Sequence, residues 1–229
     1  MPSKRFNKLP KKTRENSSES VEKLLPIVKK NCTTKFDEAI DLSFQINNKQ
    51  KKNEINLRTV VNMPGGTGKK VKVAVVCEES KNKDAKDAGA DIVGGDDLIE
   101  KIKGGDLNFE KLICTTSMMV KLSKLGKVLG PKGLMPNPKL GTVTDDVKKA
   151  IKDSKSGQVE IRNDKDGKIG DTIGKKSFTN ENLIKNYNAI IEVLEKEKSN
   201  ISIKGDLIKS LFITSTMGVS YKLKLNKNI

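Results

Sequence analysis

The chain reads as an α+β domain, an antiparallel sheet with helices of the split β-α-β type, carrying an inserted Rossmann-like three-layer α/β domain. Three observations predict this. Strands near both ends alternate apolar and polar residues, as in a sheet with one face in water. Between residues 71 and 116 the strands become short and almost wholly apolar and alternate with helical stretches, as in a parallel sheet covered on both faces. The pattern changes at two breaks, Pro64–Lys70 and Ser154–Gln158, which predict paired hinges. The expected domains are 1–66 plus 157–229, and 67–156, with 1–16 a flexible basic arm that orders on a polyanion.

Taken in order, Ser17–Lys30 has Val21, Leu24, Leu25 and Val28 at helix spacing, with Ser17 or Ser18 as cap and Pro26 expected to kink or shorten it. KFDEAIDLSFQIN predicts a strand with Phe36, Ile40, Leu42, Phe44 and Ile46 on one face. Glu38 is the one charge on that face, so it needs a partner or lies at the strand's open end. After a Lys- and Asn-rich loop at 47–53, Ile55, Leu57, Thr59, Val61 and Met63 alternate as a second strand. VKVAVVC, ADIVGG and KLICTT are the buried strands of the middle domain, with helices at Lys81–Ala88, Asp96–Lys103 and, last, Thr144–Lys152. QVEIRN and Lys168–Ile173 flank the turn Asn163–Gly167 and are expected to form a hairpin. Glu181–Lys198 is a long amphipathic helix, and LIKSLFITSTMG and VSYKLKL are the closing strands.

Composition narrows the function. The chain has 45 basic and 29 acidic residues, net +16, and residues 1–63 and 157–229 together hold +11 of it, so the outer domain is the better polyanion site. Aromatic residues are only 3%, which disfavours extensive base stacking and favours folded RNA or DNA read through phosphate, sugar and shape. Without histidine there is no Ser-His-Asp triad and no His-based acid–base catalysis. Cys32, Cys77 and Cys114 form no CxxC and sit in apolar stretches, which predicts buried, reduced thiols and a reducing compartment. No apolar run is long enough to span a membrane. The arm lacks the apolar middle of a secretory signal, and its early Glu15 and Glu19 argue against a transit peptide.

The rival class is a nucleotide-binding enzyme using the middle Rossmann-like domain. PGGTGKK tempts that view but fails it: the first glycine of a P-loop would be Met63, and Lys70 stands where Ser or Thr is needed. Nor does it complete GxGxxG, because the third glycine falls at Val71. Asp96-Asp97 and Asp145-Asp146 precede helical stretches and are expected to be caps, not metal ligands. No catalytic constellation and no cofactor site are expected.

Lys124–Gly141 holds four glycines, three prolines and four lysines, interleaved with Leu125, Val128, Leu129, Leu134, Met135 and Leu140. It predicts an ordered cationic loop, without helix interior or central strand. Its residue order, GKVLGPKGLMPNPKLGTVT, closely resembles the signature of the L-one family of large-subunit ribosomal proteins. KFDEAI, the PxGxGK segment at Pro64–Lys69, AGADIVGGDDLIEKI, RNDKDGKIG and ITSTMG match that family in the same order, from about Lys35 through Tyr221. The resemblance implies a two-domain bacterial or organellar-type ribosomal protein, monomeric off the ribosome and cytoplasmic unless its ribosome is organellar. Its implied partners are the stalk region of large-subunit ribosomal RNA, exit-site tRNA and its own messenger RNA, whose translation it would repress. Carried over residue by residue, it makes Phe36, Ser210, Thr216, Met217 and Gly218 RNA-binding residues, with Lys35, Glu38 and Lys165 in matching motif positions. By pattern alone Phe36 could equally be a core residue, and Ser210 and Thr216 ordinary strand residues. Their chemistry suits the role: hydroxyls engage a ribose 2′-hydroxyl, Gly218 admits close backbone approach, and Met217 offers an apolar surface.

Overall fold

The computed structural model describes residues 4–9, 18–47, 57–201 and 206–225. The expected contribution of Ile55, the 47–53 loop beyond Asn47, residues 1–3 and 10–16 of the arm and the Ser17 cap lie outside these residues. The chain divides into two compact units, one of residues up to Gly68 and from Val159, the other Lys69–Gln158.

The first unit begins with α1 (Lys4–Asn7), α2 (Val21–Lys30), β1 (Ala39–Ile46) and β2 (Arg58–Asn62). Helix α2 begins at Val21, the first residue of the apolar spacing, and not from a cap at Ser18. Residue 19 is instead extended, bridging to Leu223 with Lys224 N donating to Glu19 O at 2.9 Å, and Ser20 stands at the cap position without a side-chain cap bond. Pro26 does not end the helix. Its ring is on the exposed side, where the carbonyl it leaves unbonded can reach water.

The second unit contains β3 (Val73–Val76), α3 (Asn82–Asp87), β4 (Ile92–Gly94), α4 (Asp96–Lys103), β5 (Lys111–Cys114), α5 (Thr116–Ser123), α6 (Gly126–Leu129) and α7 (Val147–Lys155). Its three strands are parallel in the order β4-β3-β5, and all four residues of β3 are buried. Two apolar clusters pack it, one using Ala74 and Val76, the other Val73 and Val75, which is why the sequence shows no alternation there. The glycine-rich run does contain a helical turn, α6, contrary to the expectation of a loop throughout. Its prolines come only after Leu129, and Gly130 lets the chain close against Gly126 O, which a Cβ at 130 would approach to 2.6 Å. At α4 the cap position is Gly95, with Asp96 and Asp97 in the first turn making no cap bond, whereas Asp146 does cap α7 by accepting from Lys149 N.

The chain then returns through β6 (Gln158–Arg162), β7 (Lys168–Lys175), α8 (Asn180–Ile201), β8 (Ile208–Ser215) and β9 (Tyr221–Lys222). The expected β6–β7 hairpin is not formed. The turn is there, with Gly167 N donating to Asp164 O at 3.1 Å, but β6 pairs with β2 and β7 with β1. The cause is Asn163, whose Oδ1 accepts from Leu57 N at 2.6 Å and whose N donates to Leu57 O at 3.2 Å. It binds the end of β6 to the β2 segment before the chain can fold back.

The main sheet is antiparallel in the order β7-β1-β8-β9. Ile40, Leu42, Phe44 and Ile46 of β1, with Leu211 and Ile213 of β8, form the core with Leu24, Leu25 and Val28 of α2 and Leu183, Ile190 and Leu194 of α8. The register places Ser43, Gln45, Ser210, Phe212 and Thr214 on the opposite face, where none is buried. All three cysteines are free and buried.

Asn186 of α8 is fully buried and satisfied: it accepts from Gly65 N (2.7 Å) and donates to Gly66 O (2.9 Å) and Ile173 O (2.7 Å). Asn186→Ala removes the partner of three backbone groups, one buried and two part-buried, so it is expected to lower stability by about 3 kcal/mol, read as an earlier urea midpoint with an unchanged denaturant slope.

Candidate nucleic-acid interface

The Phe36 and Thr216–Gly218 motifs meet at the edge where β1 begins and β8 ends, since Ile40 pairs with Ser215 and Thr216 N donates to Ala39 O at 3.0 Å. Beneath that edge lies Glu38, with no exposed surface. Its Oε1 accepts from Thr34 Oγ1 (2.8 Å) and Thr34 N (3.2 Å), and its Oε2 accepts from Met217 N (3.2 Å). Burial alone would raise its pKa, but these donors, with the neighbouring Ser215 hydroxyl, outweigh it and hold the carboxylate below its ordinary value. The Ser215 hydroxyl is itself buried and completes no hydrogen bond of ordinary geometry. Gly218 closes the turn by donating to Ser215 O at 3.0 Å, and a Cβ there would lie 2.2 Å from Ser215 Oγ.

Above Glu38 two large apolar side chains stand in water: Phe36 is 52% exposed and Met217 51%. Phe36 is therefore not a core residue. The alternation failed because β1 starts only at Ala39, with residues 34–36 in a bend whose geometry Glu38 imposes. Thr216 is exposed, but its hydroxyl is already used: Oγ1 accepts from Ala39 N at 2.9 Å and fastens the strand end. The 31–37 segment is held from beneath by Lys176, which donates to Cys32 O at 2.9 Å, and by Asp37, which accepts from Ser177 Oγ at 2.8 Å. Burial raises the Cys32 thiol and lowers the Lys29 ammonium, whose Nζ donates to Phe178 O.

Of the sequence-derived candidates, Lys35, Phe36, Glu38, Thr216, Met217 and Gly218 fall together. Ser210 does not join them, since it pairs with Gln45 near the other end of β1. It does share the water-facing side of the sheet with Thr216, by strand parity. Lys165 is farther still: its turn follows β6 and bonds to Ile46, with Ile46 N donating to Gly167 O at 2.7 Å. Strand rise puts it about 20 Å from the Phe36 end. Residues missed at first are Thr34, Ser215 and Arg5, whose guanidinium donates to Thr33 Oγ1 (2.7 Å) and Met217 O (2.6 Å). Phe212 and Gln45 on the open face were also missed, although their parity with Ser210 was the available signal.

The middle unit offers little to a nucleotide. Its topological switch point lies between β3 and β5, where a phosphate would sit against the start of α5. There Ser117 Oγ donates to Glu78 Oε1 at 2.7 Å and Thr116 Oγ1 to Asp145 Oδ2 at 3.3 Å, so the chain's own carboxylates occupy the anion position. Among the described residues no group of His, Cys, Asp or Glu could hold a metal ion, and no helix is long and apolar enough to cross a membrane.

Residues 28–219 match the profile of the ribosomal protein L1p/L10e family. The chain belongs to that family. Over all 229 residues, and over the whole of the relative, it is 72% identical to the large ribosomal subunit protein uL1 of Pelagibacter ubique. It is 45% identical to that of Rickettsia africae over 92% of this chain and 86% of the relative, and 41% identical to that of Rickettsia prowazekii over 97% and 93%. Membership makes the chain a structural, non-enzymatic ribosomal protein.

Because Glu38 has a depressed pKa when folded, its contribution to stability is full above the ordinary glutamate pKa and is lost as pH falls through the lower folded value. Glu38→Gln places an amide against donors from Thr34 and Met217. The stability gap between wild type and Glu38→Gln is expected to be widest at neutral pH and to narrow on acidification, as followed by urea titrations across pH.

Proposed function

We propose that the chain is a constituent of the large ribosomal subunit that binds the stalk region of its ribosomal RNA through the edge formed by Phe36 and Thr216–Gly218. The observation that carries this is the presence of two half-exposed apolar side chains, Phe36 and Met217, on the two segments that converge on a fully buried and hydrogen-bonded carboxylate, Glu38. An exposed ring and thioether held by a rigid support suit an unstacked base or sugar. The adjoining open sheet face, with Ser43, Gln45, Ser210 and Thr214, adds donors and acceptors able to meet ribose hydroxyls. Charge favours the same unit, since segments 1–63 and 157–229 carry +11 of the +16.

In this reading, residues 1–66 and 157–229 form a discontinuous RNA-binding domain, and 67–156 an inserted Rossmann-like domain without nucleotide. The place of action is the cytoplasmic ribosome, and the free protein is a monomer. Two further roles are part of this reading on the family resemblance alone: helping deacylated tRNA leave the exit site, and repressing translation of its own messenger RNA. A footprint on deproteinised large-subunit RNA tests the partner; protection elsewhere than the stalk removes it.

Phe36→Ala and Met217→Ala are each expected to weaken binding to a stalk transcript by about 1–3 kcal/mol at fixed salt, with unchanged melting temperature because both side chains are half in water. Replacing residues 67–156 by a short linker is expected to leave most of the affinity. Should the isolated middle segment bind the transcript instead, the domain roles are exchanged.

A further inference from the structure

We propose that Arg5, on the short N-terminal helix α1, contacts a backbone phosphate of the RNA at the rim of the Phe36–Met217 edge. This rests on the RNA-binding reading above and adds to it a residue outside the span, 28–219, that matches the family. Arg5 joins the two segments that embrace Glu38: one terminal nitrogen donates to Thr33 Oγ1 at 2.7 Å and the other to Met217 O at 2.6 Å. Both acceptors are neutral, and among the described residues no carboxylate pairs with this guanidinium. Two of its five N–H donors fix its plane.

The backbone is fixed as well. Leu9 is buried in the outer core and Phe6 packs against it, with Lys8 N and Leu9 N closing the turn onto Arg5 O and Phe6 O, each at 3.2 Å. A cation on a flexible tail must be ordered when it binds, whereas this one is already in place. A guanidinium held in this plane beside exposed Met217, with no carboxylate partner among the described residues, is complementary to phosphate, which takes a fork of donors in bidentate fashion.

The alternative is a purely structural strap, with Arg5 doing no more than tying Thr33 to Met217. Salt dependence separates the two, because only a phosphate contact releases counterions. Full-length wild type, Arg5→Ala, Arg5→Gln and Arg5→Lys are titrated with a stalk transcript at several KCl concentrations, alongside melting curves. Arg5→Ala and Arg5→Gln are expected to bind about tenfold more weakly near 0.1 M salt, with a log–log salt slope shallower by about 1. Arg5→Lys is expected to keep the slope. Unchanged affinity, weakening with the wild-type slope, or a slope lost equally in Arg5→Lys overturns the contact. The Phe36→Ala, Met217→Ala double variant is run in parallel. If it binds like wild type, the RNA surface itself is wrong; if it weakens while the Arg5 variants do not, only the Arg5 contact falls.

Discussion

A buried carboxylate needs its oxygens bonded, and that requirement organises the candidate interface. Taking an ionised group out of water costs several kcal/mol unless hydrogen bonds replace the lost hydration. Glu38 meets the condition only because Thr34 and Met217, 179 residues downstream of it, approach from opposite sides. Their backbones are thereby fixed to within hydrogen-bond tolerance, which sets where the side chains of Phe36 and Met217 leave the chain. The segments bearing the exposed pair are positioned by a carboxylate that has no exposed surface of its own.

The two units solve the covering of a sheet differently. In the parallel sheet every residue of β3 is enclosed, which leaves no face for a macromolecule. In the antiparallel sheet α2 and α8 cover one side, and the other carries Ser43, Gln45, Ser210, Phe212 and Thr214. A polar face of this kind is stable in water and still able to exchange that water for hydroxyls and phosphates, and it belongs to the unit with the larger charge excess.

Much of this was legible from residue alternation. The burial of Ile40, Leu42, Phe44 and Ile46, the parallel order of the middle strands and the extent of α8 follow local patterns that survive in the folded chain. What escaped depends on distant partners. Phe36 keeps the parity of the core residues, yet the bonds to Glu38 begin the strand three residues later. The partner of β6 is β2, and the pairing is extended by Asn163, reaching Leu57 across 106 residues. Within the candidate site, motif order alone grouped Lys165 with Phe36. Strand register separates them, because motifs that belong to one family signature can lie at opposite ends of one strand. The single helical turn at Gly126–Leu129 was hidden by glycines that local propensity counts against a helix.

The central strand β1 has β7 and β8 as its neighbours, both drawn from the far end of the chain. On a translating ribosome β1 therefore emerges long before anything can pair with it. At about 5–20 residues per second, the wait from Ile46 to Lys168 is on the order of ten seconds. Residues 69–158, which contain all three of their own strands, can fold in that interval. The nascent chain thus carries a finished unit behind an unpaired apolar strand, the period in which a chaperone or a growing aggregate has access to it.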